Sequence, residues 1–336
     1  MAGIGFNLRK ILESDTYFAS FRAYFYSTII AAGPWILSIL TLFALNYFAP
    51  SNISLYEIVY FRALIIYTFA FSLIGFGILQ FPLTRYLADK LYLGEKESIV
   101  PAFNAAAAIL LTVQGAVSIS YVLLIGRDYR IGFLAVLVYL AINMIWLCMV
   151  FLSALKDYRT ISVDYLIGTV VAILSAIGFG ERWGLEGYLT GYLLGHLVII
   201  SLWTARIFCE YPSKIVFDFN FLPFVLRNRA LLLTGFFYAV AIWIDKIVFW
   251  FSPHGTQVAP AIRMMPIYDF ATFMAYLTII PSLSMFLVQI ETDFYRRYKR
   301  FYLAILSKAS YSRIERVRQQ ISRSLRGGAA VLIRYQ

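Results

Sequence analysis

The chain has 336 residues, of which 61% are hydrophobic and 14% charged, where soluble domains carry roughly 45–50% apolar and about 25% charged residues. A mean hydropathy of +0.75 excludes a water-soluble globule, because apolar residues in that proportion leave too little polar surface to face water. Lys and Arg outnumber Asp and Glu by 29 to 18, for a net charge of +11, and Cys148 and Cys209 lack the spacing of a disulfide framework or a metal site.

In chain order, residues 1–21 form an N-terminal cytoplasmic amphipathic segment carrying Arg9, Lys10, Glu13 and Asp15. The apolar run that follows is longer than the about 7 to 15 residues of a signal-peptide core, so a cleaved leader is not expected. Eight stretches are long enough to span a bilayer: 22–48, 58–83, 100–126, 131–155, 161–180, 187–209, 230–251 and 270–290. They are apolar on every face and far longer than the roughly ten-residue alternating strands of a membrane barrel. The fold class is therefore an all-α polytopic membrane protein with about eight transmembrane helices. Residues 22–209 are expected to form a first six-helix bundle, 210–229 a cytoplasmic linker broken by Pro212 and Pro223, and 230–290 the first two helices of a second bundle. Internal similarity supports that division: Tyr56 and Glu57 open the second span, which ends at Pro82, and Tyr268 and Asp269 open the eighth, which contains Pro281. The basic segment 291–336 repeats Ile314, Val317, Ile321 and Leu325 at helical spacing, as a helix lying on anionic lipid does. Its end, Gly327 to Arg334, reads as the approach to a further helix, so truncation of a longer chain is expected.

Orientation follows from Lys and Arg in the short loops. With the N-terminus inside, only Arg127, Arg130, Arg182 and Arg263 fall outside, and Arg62 and Lys246 fall within spans. The positive charge is thus topology and attraction to membrane lipids, and nucleic acid is excluded as a partner.

No phosphate-binding loop, zinc-binding HExxH helix or serine elbow is present, no cofactor or metal is expected, and an enzyme is not the reading. Charge within the membrane marks function by default. The candidates for a translocation path are accordingly Arg62, Asp245, Lys246 and His196. Asp245 and Lys246 are adjacent and point about 100° apart on a helix, so they do not simply neutralise each other; at least one is expected to face an aqueous cavity or a partner on another helix, the alternative being a structural ion pair or Lys246 reaching outward to an interface. The overlapping GxxxG units of Gly187, Gly191 and Gly195 place three glycines on one face for tight helix packing, and Gly33, Pro34, Pro82 and Pro281 mark candidate helix kinks. Aromatic residues, at 18%, suit the two faces of a sugar but do not choose sugar over drug or lipid.

The opening Met1, Ala2, Gly3, Ile4, Gly5, Phe6, with Leu8, Arg9 and Lys10, then Arg22 to Tyr26 and Gly33, Pro34, Trp35, Leu37 and Ser38, resembles the PelG family, the inner-membrane transporters of the Pel exopolysaccharide system. The resemblance implies the two-bundle fold of the multidrug/oligosaccharidyl-lipid/polysaccharide exporter superfamily, here with an incomplete second bundle. It also implies export of an amino-sugar-rich polymer across the bacterial inner membrane during biofilm synthesis, beside a cytosolic glycosyltransferase and membrane partners that include a cyclic-di-GMP receptor. It supplies no established site residue. An ion-coupled drug or small-molecule antiporter, a flippase for lipid-linked oligosaccharide and a non-transporting subunit that anchors the synthase are the competing readings.

Overall fold

The computed structural model describes residues 17–125, 128–153, 158–289 and 294–322. The opening motif to Lys10, Leu325 and the final run from Gly327 lie outside them. Nine helices and one hairpin are labelled here in chain order: α1 (Tyr17–Tyr47), α2 (Leu55–Leu93), α3 (Ile99–Ile125), α4 (Tyr129–Ser153), α5 (Tyr158–Glu210), α6 (Phe221–Arg227), α7 (Arg229–Trp250), β1 (Thr256–Ala259), β2 (Ile262–Met264), α8 (Pro266–Gln289) and α9 (Tyr295–Leu306). Residues 311–322 are also helical. Six described helices are long and apolar enough to cross a membrane, and the described residues of all eight expected stretches lie on helix but for Phe48 and Phe251 at two ends, so the chain is a helical, multi-pass membrane protein. The two counts differ because α1 offers only a short described apolar stretch, Gly33–Tyr47, and because α5 holds two stretches.

α5 breaks at Gly184, whose φ of 59° and ψ of −139° are available to glycine at no Cβ cost. Its arms then fold back on each other. A Cβ on Gly187 would run into the Phe179 backbone, one on Gly191 into that of Ser175 and Ala176, and one on Gly195 into Gly168 and Ala172. The Ser175 hydroxyl crosses this seam to the Gly191 carbonyl oxygen at 2.8 Å. α2 begins where Ser54 and Glu57 form a capping box and ends at Gly94, with φ 78°.

The chain divides into two compact units, Ile36–Asp269 and Met1–Trp35 with Phe270–Gln336. In the first, one apolar cluster joins Phe103, Phe151, Trp203 and Phe221 at the end where Tyr86 and Ile99 lie. A second joins Phe61, Tyr188, Tyr192 and Trp250 at the opposite end. In the other unit the Trp35 and Tyr276 rings meet edge to face at 6.2 Å, and Ile314, Val317 and Ile321 are half-buried while Arg313, Arg316 and Arg318 are exposed.

The purely helical expectation needs one addition. β1 and β2 pair antiparallel, Thr256 with Met264 and Gln257 with Arg263, with an irregularity before Ala259. Pro253, Gly255 and Pro260 stop helix between α7 and α8, and the hairpin is fastened by the Tyr56 hydroxyl donating to the Val258 carbonyl oxygen at 2.9 Å.

Candidate functional site

α2 and α7 touch backbone to backbone. A Cβ on Gly77 would lie 2.9 Å from the Gly235 carbonyl oxygen and 2.7 Å from the Ala239 Cβ, and one on Gly235 would meet the Gly77 carbonyl oxygen. From this crossing the antiparallel helices run to the hairpin end, where the N-terminal part of α2 and the C-terminal part of α7 bring their polar side chains together.

Four charged residues gather there. The Lys246 Nζ lies 3.6 Å from the Asp245 Oδ2, with the lysine side chain 10% and the aspartate 35% exposed. The Tyr268 hydroxyl donates to the same oxygen at 3.0 Å. Asp269 accepts from the Trp250 indole N–H at 2.9 Å and from the Met265 backbone N–H at 3.3 Å. The positive charges of Lys246 and Arg62 both act on its carboxylate. Two buried atoms, the Arg62 Nε and the Asp245 Oδ1, find no hydrogen-bond partner among the described residues.

Aromatic rings frame the charges. Trp250 stacks on Tyr67 at 4.8 Å and 14°, Phe249 stacks on Tyr268 at 3.9 Å, and the Lys246 ammonium stands 5.3 Å from the Trp243 ring centroid. The Tyr67 hydroxyl donates to the Arg263 carbonyl oxygen at 2.8 Å and accepts from the Arg263 N–H at 3.0 Å, which fixes β2 against α2. The arrangement offers both charge signs, indole and phenol faces and unspent hydrogen-bonding capacity at one end of the spans. Such a surface can hold a polar, partly apolar solute without binding a single charge tightly.

The structure thus brings Arg62, Asp245 and Lys246 into one neighbourhood. Asp245 and Lys246 are in contact, the flexible four-carbon stem letting the ammonium swing back to its neighbour although the Cβ directions diverge, and Asp245 also meets a partner on another helix, the Tyr268 hydroxyl of α8. His196 sits elsewhere, buried in the second arm of α5. Its Nδ1 lies 2.9 Å from the Tyr192 carbonyl oxygen and its ring 4.2 Å from the Tyr192 ring. Gly187, Gly191 and Gly195 lie along the α5 seam. Gly33 and Pro34 lie within α1, Pro82 within α2 and Pro281 within α8, each inside continuous helix.

The sequence reading missed Tyr67, Trp250, Gly77 and Gly235 as parts of this region. A lone glycine carries no pairing signal, and one Tyr or Trp is unremarkable where aromatics are this abundant. Tyr268 and Asp269 were visible as an aromatic-acid pair at a span entrance, a signal that shows an interface and not a partner.

A search among curated proteins finds no match. Among solved structures, the chain is similar to one titled "Outward-facing conformation of a multidrug resistance MATE family transporter of the MOP superfamily", at 12% identity and a TM-score of 0.46, over 90% of this chain and 77% of that one. The family model PelG, described as "Putative exopolysaccharide Exporter (EPS-E)", matches residues 1–336. With the opening motif, the multi-pass helical fold and a family match over every residue, this chain belongs to the PelG family.

Proposed function

We propose that this membrane exporter moves an amino-sugar-rich exopolysaccharide of the Pel type from the cytoplasm to the periplasm across the bacterial inner membrane during biofilm matrix synthesis. It works beside a cytosolic glycosyltransferase and other Pel membrane components, a cyclic-di-GMP receptor among them, on the two-bundle exporter architecture. The observation that carries this reading is the family match over residues 1–336. The distribution of Lys and Arg supports an N-terminus in the cytoplasm and the hairpin end of α2 and α7 outside.

In this reading Arg62, Asp245 and Lys246 border the translocation path, where their charges and the neighbouring rings would meet successive sugar units. His196, bonded to its own helix, is assigned to packing. The test is fractionation of amino-sugar polymer into cytosol, periplasm and medium in a strain lacking the gene, with drug susceptibility measured in parallel. Loss of external polymer with unchanged susceptibility is expected, and normal secretion overturns the proposal. Arg62→Gln and Asp245→Asn should each reach the membrane at normal levels and export less polymer. Undiminished export in both removes these residues from the path.

A further inference from the structure

A second polar site lies away from the charged cluster, between α4 and the region of α5 around its break at Gly184. There a cavity of about 400 Å³ is lined by Arg130, Phe133 and Leu134 on one side and by Trp183, Glu186 and Thr190 on the other. Two local features shape it. The Gly184 turn directs the chain back beside α4, and Gly187, without a side chain, lets the α5 arms close behind the cavity.

An Arg130 Nη and a Glu186 carboxylate oxygen face each other at 3.9 Å, with side chains 83% and 42% exposed. A closed charge-assisted bond measures about 2.7–2.9 Å, so both groups retain donors and lone pairs for a ligand. A pair this exposed contributes little to stability, and fold maintenance does not explain it. Depth supplies the second clue. Arg130 is the second residue of a span and Glu186 the second after the α5 break, which puts both at the level where hydrocarbon gives way to headgroups. Phe133, 61% exposed, lies one turn deeper, and Trp183, 58% exposed, flanks the opening.

A ligand that satisfies all of this carries an anion for the guanidinium, a cation with N–H donors close by for the carboxylate, and an apolar continuation along Phe133 and Leu134. We infer that this cavity binds a zwitterionic phospholipid with a primary ammonium headgroup, its phosphate on Arg130 and its ammonium on Glu186. The Thr190 hydroxyl donates to the Glu186 carbonyl oxygen at 2.7 Å and keeps lone pairs for a headgroup donor. An amino sugar would engage Glu186 and Trp183 but leave Arg130 without an anion and Phe133 without apolar cover.

The test is native mass spectrometry of the purified full chain with equimolar phosphatidylethanolamine, phosphatidylcholine and phosphatidylglycerol of identical acyl chains. Retained phosphatidylethanolamine should exceed phosphatidylcholine by about tenfold, the worth of one hydrogen bond to a charged group. Glu186→Gln should abolish that preference, and Arg130→Gln should lower retention of all three lipids. Because Arg130 is exposed and Glu186→Gln keeps the size and shape of a half-buried side chain, the variants should fold. As a second readout, phosphatidylethanolamine should raise the thermal midpoint of the wild-type chain and not that of Glu186→Gln. Equal retention of the three headgroups, or a preference that survives both substitutions, overturns the inference. So does displacement of the lipid by a glucosamine oligomer, which would make the cavity a saccharide site.

Discussion

Two glycine contacts within the Ile36–Asp269 unit work differently. Along the α5 seam three glycines press one arm onto the backbone of the other over several turns, and the open end is closed by Arg206 and Asp164 at 3.3 Å. Between α2 and α7 a single pair, Gly77 and Gly235, makes the close approach, and beyond it the interface consists of charged and aromatic side chains. Helices in lipid gain no hydrophobic drive from meeting each other, so close packing and polar contacts decide which surfaces stay joined. A seam fixed at three points resists sliding. At the α2–α7 crossing the backbone approach is confined to one glycine pair, and toward the hairpin end side chains carry the contact instead, which is where the candidate path residues lie.

The largest expected effect is at the seam. Gly191 faces backbone atoms alone, which no rotamer change can move aside. Gly191→Leu should therefore cost at or beyond the upper end of the about 1–3 kcal/mol typical of overpacking, read as lost accumulation of folded protein in the membrane and a collapsed thermal midpoint in detergent. Near-normal stability would show that the arms can part, and the contrast between the two contacts would fail.

Next is the crossing. Gly77→Ala should cost about 1–3 kcal/mol, and adding Ala239→Gly should recover part of it, because one of the two atoms a new Cβ would meet is the Ala239 methyl group. Recovery stays incomplete because the Gly235 carbonyl oxygen remains. Thermal shift of the single and double variants in detergent checks this. No recovery would mean that the crossing is as unyielding as the seam.

The same two contacts show what sequence reasoning reaches in this protein. Gly187, Gly191 and Gly195 repeat at a helical interval inside one segment, so the face they form is legible without knowing what covers it. Gly77 and Gly235 each stand apart from any such repeat, and only the fold pairs them. The spans are legible because length and hydropathy are averages over many residues. The β1–β2 hairpin is not, because four- and three-residue strands fall below any periodicity signal. Arg62, Asp245 and Lys246 stood out because charge in lipid is costly, whereas the neighbouring Tyr67 and Trp250 were hidden by a composition full of aromatics, and Tyr268 was visible only as one of an aromatic-acid pair at a span entrance. The Asp245–Lys246 contact itself is not fixed by spacing, because helix geometry constrains the Cβ direction and not the end of a long side chain.

Within the polar end of α2 and α7, Trp250→Phe keeps an aromatic ring against Tyr67 but removes the N–H that Asp269 accepts at 2.9 Å. A hydrogen bond to a charged group is worth about 1.5–3 kcal/mol, so a destabilisation of about 2 kcal/mol is expected by thermal unfolding in detergent. Asp269→Asn should reduce the penalty of a second Trp250→Phe substitution, since less charge is then left without its donor. Full additivity of the two changes would show that the indole acts through packing alone.

The smallest effect separates the hydroxyl from the ring at Tyr268. Tyr268→Phe preserves the stacking on Phe249 at 3.9 Å and deletes only the donor to Asp245, whose carboxylate keeps Lys246 at 3.6 Å. About 1 kcal/mol or less is therefore expected, below the Trp250→Phe cost. If the hydroxyl also serves the translocation path that Asp245 is proposed to border, polymer export should fall by more than this stability loss explains. An export rate that merely tracks folded protein would instead make Tyr268 a packing residue.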